Sequence, residues 1–177
     1  TGRNIAAMSE GRDEDELRKR ILALLRKAPH FALIDNLRGR LDSAAVSSVL
    51  TSTFWEDRKL GVSEMIRVPN RCAWIATGNN PALASEISRR TVRTRLDAKQ
   101  DRPWQRESVD FRHPNLRAWA ADNRADIVWA ALTLVQAWLA AGRPNAHNLP
   151  TLGMYEDWAR VIGGILYHAG VLGFLGN

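Results

Sequence analysis

Two short apolar runs, each closing on a polar tip, constrain this chain most. Phe31-Ala32-Leu33-Ile34 ends on Asp35-Asn36, and Cys72-Ala73-Trp74-Ile75-Ala76 ends on Thr77-Gly78-Asn79-Asn80. They lie about forty residues apart with a helical pattern between them, the spacing of two parallel strands joined by a crossover helix. In open parallel sheets ligands collect at the carboxyl ends of the strands, where both tips fall. A carboxylate on one tip and an amide on its neighbour suit a metal-bound phosphate. Asp35 can hold Mg²⁺ through its oxygens, and Asn79 can donate to a terminal phosphate or to an attacking water. For Asp35 taken alone, a turn or helix-capping role is the ordinary alternative.

The text around these runs reads as an α/β layer followed by helices. Residues 4–8 suit a strand, and 13–27 an amphipathic helix with Asp13, Glu14, Asp15 and Glu16 in its first turn and Arg26 and Lys27 in its last. Its apolar stripe is Leu17, Ile21, Leu24 and Leu25, and Pro29 stops it. A second helix is expected over 43–57, with Ser43 as N-cap and Val46, Val49, Leu50 and Phe54 inward. Residues 64–68 read as a strand or one arm of a hairpin, 81–89 as a short helix and 91–96 as a final alternating strand. Polar, Pro-containing text over 97–114 then leads to helices at 116–121, 123–141 and 155–169, the last two ended by Gly142 and Gly170. Of the Trp residues, Trp119, Trp129, Trp138 and Trp158 sit in apolar helical text that predicts core packing, whereas Trp104 is the best exposed candidate.

Charge is concentrated rather than spread. The 177 residues carry a net +6, and the stretch 58–95 holds eight Arg and Lys against Glu64 and Glu86, an excess equal to that of the whole chain. Arg58, Lys59, Arg67 and Arg71 are its candidate nucleic-acid contacts, with a solvated basic face as the alternative. A hydrophobic content of 45% supports one domain, or a core with a small satellite. A lone cysteine, Cys72, excludes a disulfide framework and suits a reducing, cytoplasmic setting. No apolar run is long enough to span a membrane. The four histidines, His30, His113, His147 and His168, share no ligand spacing. Opening on Thr1-Gly2 without Met, the chain reads as an excised piece of something longer.

The order strand-Asp, helix, strand-Thr-Gly-Asn, paired arginines and helical tail resembles the later part of the AAA+ family of P-loop ATPases. Walker B would be 31–36, sensor 1 Asn79, the arginine finger Arg89 or, preferably, Arg90, and the helical lid 110–177, with an α/β core at 1–109 lacking its first strand. The phrases ALIDN, WEDRKLG, ATGNN and AGRP, with the ending WARVIGGILYHAGVLGFLGN, are similar to the ATPase module of phage and integrative-element primase-helicases. The resemblance implies ATP and Mg²⁺ as ligands, DNA as partner, a homo-oligomeric ring completed by an arginine acting in trans, and Arg160 as a sensor 2 residue.

Two departures qualify that picture. The phosphate cradle G-x-x-x-x-G-K-[ST] does not occur, nor does any Gly-Lys pair; by the family's order it would precede Thr1. The acidic residue that usually follows the Walker B Asp and acts as general base is replaced by Asn36, whose amide accepts no proton at neutral pH. Hydrolysis by this chain alone is therefore not expected. A non-enzymatic nucleic-acid-binding or oligomer-assembly module is the rival reading, and an unrelated α/β domain with a solvated basic face a third.

Overall fold

In this computed structural model, which describes residues 5, 7–11, 13–58, 61–62 and 64–176, the first helix starts where its sequence caps it. Asp13 takes extended backbone and its carboxylate accepts the Glu16 N–H at 2.8 Å, opening α1 (Glu14–Leu25) with acidic residues against the helix dipole. Leu17, Ile21, Leu22 and Leu25 are buried; the expected Leu24 lies at the core's margin and Leu22 takes the inner place. The chain divides after Thr91 into two units.

The first unit is a mixed α/β layer. Strand β1 (Ala7–Met8) and β2 (Phe31–Leu37) pair in parallel, and the later β6 (Ala73–Gly78) pairs in parallel on the other side of β2. The parallel arrangement expected for the two apolar runs is thus present. Ala32 and Ile34 alternate onto the face where they meet the core, while Phe31 and Ile75 stay exposed on the other face. Two-residue strands β3 (Arg40–Leu41) and β7 (Ala82–Leu83) pair beside this sheet.

Helix α2 (Ala44–Thr51) starts at the expected cap. Ser43 Oγ accepts the Val46 N–H at 3.1 Å, and the Glu14 carboxylate accepts from both the Ser43 hydroxyl (3.2 Å) and the Ala45 N–H, so α1 helps to cap α2. The helix stops well short of residue 57. Asn70 donates its side-chain N–H groups to the carbonyls of Val49 (2.5 Å) and Ser52 (2.9 Å), satisfying the helix end. The next residues form β4 (Phe54–Arg58), paired antiparallel with β5 (Met65–Pro69), the expected hairpin arm. Helical spacing from Leu50 suggested an inward Phe54, but a period of two wins: Trp55 and Val68 are buried, and Phe54 faces out.

Two further expectations are corrected. Only Ser85–Ser88 of the stretch 81–89 is helical (α3), because Ala82–Leu83 is drawn into β7. Residues 91–96 form no strand: they have no pairing partner among the described residues, and Val92 and Leu96 are exposed instead of alternating into a core.

In the second unit two single 3₁₀ turns (Pro103–Gln105 and Ser108–Asp110) precede α4 (Leu116–Asp122), α5 (Arg124–Ala140) and α6 (Glu156–His168), close to the expected helices. Gly142 and Gly170 end α5 and α6 in left-handed conformation, at φ 79° and 76°. Gly163 and Gly164 are where α6 makes its closest approaches. A Cβ at Gly164 would lie 2.8 Å from the Pro144 carbonyl oxygen and 2.9 Å from Trp138 Nε1, which itself donates to that oxygen. Trp138 is buried, but Trp129 is 69% exposed and Trp158 45%, against the expectation for both. Nine residues along a helix amount to about half a turn of rotation, so when Trp138 faces the core Trp129 faces away. Trp104, at 77% exposure, is open as expected.

Ile21, fully enclosed, anchors the first unit. Ile21→Ala is expected to lower unfolding free energy by about 2–5 kcal/mol, read as a reduced midpoint in urea titration with an unchanged slope.

Candidate functional site

The site begins with an irregularity in the central strand. β2 and β6 keep register from Phe31↔Ala73 to Ile34↔Ala76, then slip, and pairing resumes at Leu37↔Gly78. The slip encloses Asp35 and Asn36 in a bulge, uncommon in a parallel pair. Asn36 takes φ 60°, a left-handed conformation that Asn tolerates better than any other residue with a side chain except Asp. The Asn36 N–H, freed from the ladder, donates to Thr77 Oγ1 at 3.0 Å, and that hydroxyl donates to Asp35 Oδ1 at 2.5 Å.

These contacts hold Asp35 against Thr77 near the carboxyl ends of β2 and β6, and Asn79 follows β6 directly. Asp35 is exposed, and its Oδ2 has no partner among the described residues; neither does the exposed side-chain amide of Asn79, which follows the end of β6. No group of three or more His, Cys, Asp or Glu gathers among the described residues. Mg²⁺ asks for less. One or two carboxylates with phosphate oxygens and water complete its shell, and the open Asp35 oxygen fits one such position.

The two candidate finger arginines differ in their freedom. Arg90 Nη1 donates to Ser47 Oγ (2.7 Å) and to the Glu86 carbonyl (2.9 Å), with the Glu86 carboxylate at 3.4 Å, so this guanidinium fastens α3 to α2 and is only 15% exposed. Arg89 pairs with Glu86 alone among the described contacts and is largely open. Arg160 belongs to the second unit, exposed on α6 and paired with Asp157 at 2.7 Å.

The basic candidates fall on and after the hairpin. Arg58 and Arg67 share its outward face with Phe54, Glu56 and Met65, all exposed, and the Arg67 guanidinium lies over the Phe54 ring, 4.1 Å from its centroid. The opposite face is closed: Trp55 is buried, and Asp57 is tied to Arg18 at 3.1 Å. Arg71 is exposed between β5 and β6, and Lys59 lies outside the described residues. Cys72 is half-buried, donates to Asn70 Oδ1, and burial pushes its thiol up, away from a reactive thiolate.

Two residues of these sites were not singled out by sequence reasoning. Thr77 was available as the hydroxyl beside the tip of β6, and Phe54 through the alternation of Phe54, Glu56 and Arg58 against Trp55 and Asp57. No protein-family model, curated protein or solved structure matches this chain.

The left-handed backbone at position 36 also decides which side chains it accepts. Asn36→Gly is expected to leave stability within a few tenths of a kcal/mol, whereas Asn36→Glu costs about 1 kcal/mol. Urea denaturation of both variants measures the difference, and equal losses would reject the conformational role.

Proposed function

We propose that this chain is part of an ATP-dependent DNA-processing motor of helicase or primase-helicase type, its fold that of a P-loop core fragment followed by a helical lid. The observation that carries the reading is the arrival of an open carboxylate, Asp35, and an open amide, Asn79, at one sheet edge on the ends of adjacent parallel strands. Asp35 would hold Mg²⁺, which when bound with ATP neutralises charge on the phosphates. Asn79 donates to the terminal phosphate or orients the attacking water. Arg89, the more open of the paired arginines, is the better placed to reach a nucleotide on a neighbouring subunit of a ring.

Asn36 supplies no general base, and the missing G-x-x-x-x-G-K-[ST] leaves the β- and γ-phosphates without a backbone cradle. The 177-residue chain is accordingly expected to turn over no ATP above background. In a longer polypeptide carrying such a loop ahead of these residues, Mg²⁺-dependent hydrolysis is expected. Asp35→Ala removes it, and Asn79→Ala slows it by about 10²-fold or more while nucleotide affinity stays close to wild type. Turnover by the present chain, or indifference to Asp35→Ala, would reject the assignment.

The hairpin favours a second reading, a nucleic-acid-binding module that works without hydrolysis. Its outward face pairs cations with an exposed aromatic ring, a combination suited to phosphates and stacked bases. Binding is expected to be tolerant of sequence and to weaken steeply with salt. Arg58→Ala and Arg67→Ala should each shallow the log–log salt slope by about 1 in titrations with single-stranded DNA. Unaltered slopes in both variants would return this face to solvent.

A further inference from the structure

We propose that Thr77 is the positioning residue for Asp35, aiming one carboxylate oxygen outward as a cation ligand; the inference rests on the Mg²⁺ reading of the same edge. A single hydroxyl does two jobs. It accepts the Asn36 N–H that the bulge has taken out of the ladder, and it gives its one proton to Asp35 Oδ1. The first bond holds the backbone of the bulge and the second fixes the carboxylate rotamer, leaving Oδ2 of the exposed Asp35 without a partner among the described residues. Thr77 is a neutral donor, so it orients the carboxylate without cancelling the charge a cation needs. An Arg or Lys partner would compete with the cation instead.

Gly78 keeps the clasp short. A Cβ there would lie 3.0 Å from Leu37 Cβ and Pro81 Cγ and 3.1 Å from the Leu37 carbonyl oxygen, so a side chain at this position would press on β2 immediately beyond the bulge. Thr77 and Asn79 flank this glycine. One neighbour therefore holds the acidic ligand while the other presents its amide.

The test uses the present chain with Mn²⁺ alone as the probe, read as paramagnetic broadening of backbone amide signals, together with amide exchange at Asn36. Broadening centred on residues 35–37 and 77–79 is expected for wild type and for Thr77→Ser, which keeps the hydroxyl. Thr77→Val should weaken Mn²⁺ binding there by about 10- to 100-fold, the usual cost of losing a partner that orients a metal ligand, and should speed exchange of the Asn36 amide. Wild-type affinity in Thr77→Val, with binding abolished in Asp35→Asn, overturns the role of Thr77 and leaves the cation reading standing. Unchanged broadening in Asp35→Asn overturns the cation reading and the proposal with it. If Thr77→Val does not fold, wild type and Thr77→Ser decide: a protected Asn36 amide and equal Mn²⁺ affinity in both support the clasp, and an unprotected Asn36 amide in wild type overturns it.

Discussion

The parallel pairing of β2 with β6 is the contact on which the first unit depends. It joins segments separated by a helix and a hairpin, and it sets Ile34 onto the face that closes with Ile21 and Val49. Parallel ladders cannot be closed by a tight turn, so the intervening chain must cross over and pack before the pair is worth forming. The crossover is α2, held at its start by Ser43 and Glu14 and at its end by Asn70. One ladder thus organises both the core and the polar edge.

That edge shows how a local backbone requirement competes with chemistry. A bulge at Asp35-Asn36 turns the carboxylate outward, yet it needs a residue that accepts φ 60° at position 36. Asn meets that requirement, whereas a glutamate there would carry conformational strain. Arg90 illustrates a related competition, since its bonds to Ser47 and Glu86 fasten α3 to α2 and withdraw it from other partners.

Charge is likewise sorted by the fold. Along the sequence, Glu56, Asp57, Arg58 and Arg67 form one mixed cluster; the hairpin sends Asp57 inward to Arg18 and leaves Arg58 and Arg67 outside with Phe54. An outward face is therefore more basic than the text from which it comes. Period-two geometry, with successive side chains on opposite faces, produces this separation without any change in composition.

Much of the fold was legible because its signals are local. Asp13 and Ser43 cap α1 and α2 through side-chain oxygens within three residues, Gly142 and Gly170 end α5 and α6 through their own backbone freedom, and apolar runs with polar tips mark β2 and β6. The sequence by itself determined these elements and brought Asp35 and Asn79 forward as a pair. Tertiary structure decided the rest. Where α2 ends depends on Asn70, far along the chain; whether 54–58 is helix or strand depends on 65–69 as a partner; residues 91–96 alternate but find nothing to pair with; and Trp129 and Trp138 cannot share one covered side of α5. Thr77 acquired its place only when the slip in register freed an amide and brought a carboxylate within reach of its hydroxyl. Caps and periodicity act over a few residues of chain, whereas pairing, burial and the direction of a side chain are settled by neighbours that only the folded molecule brings close.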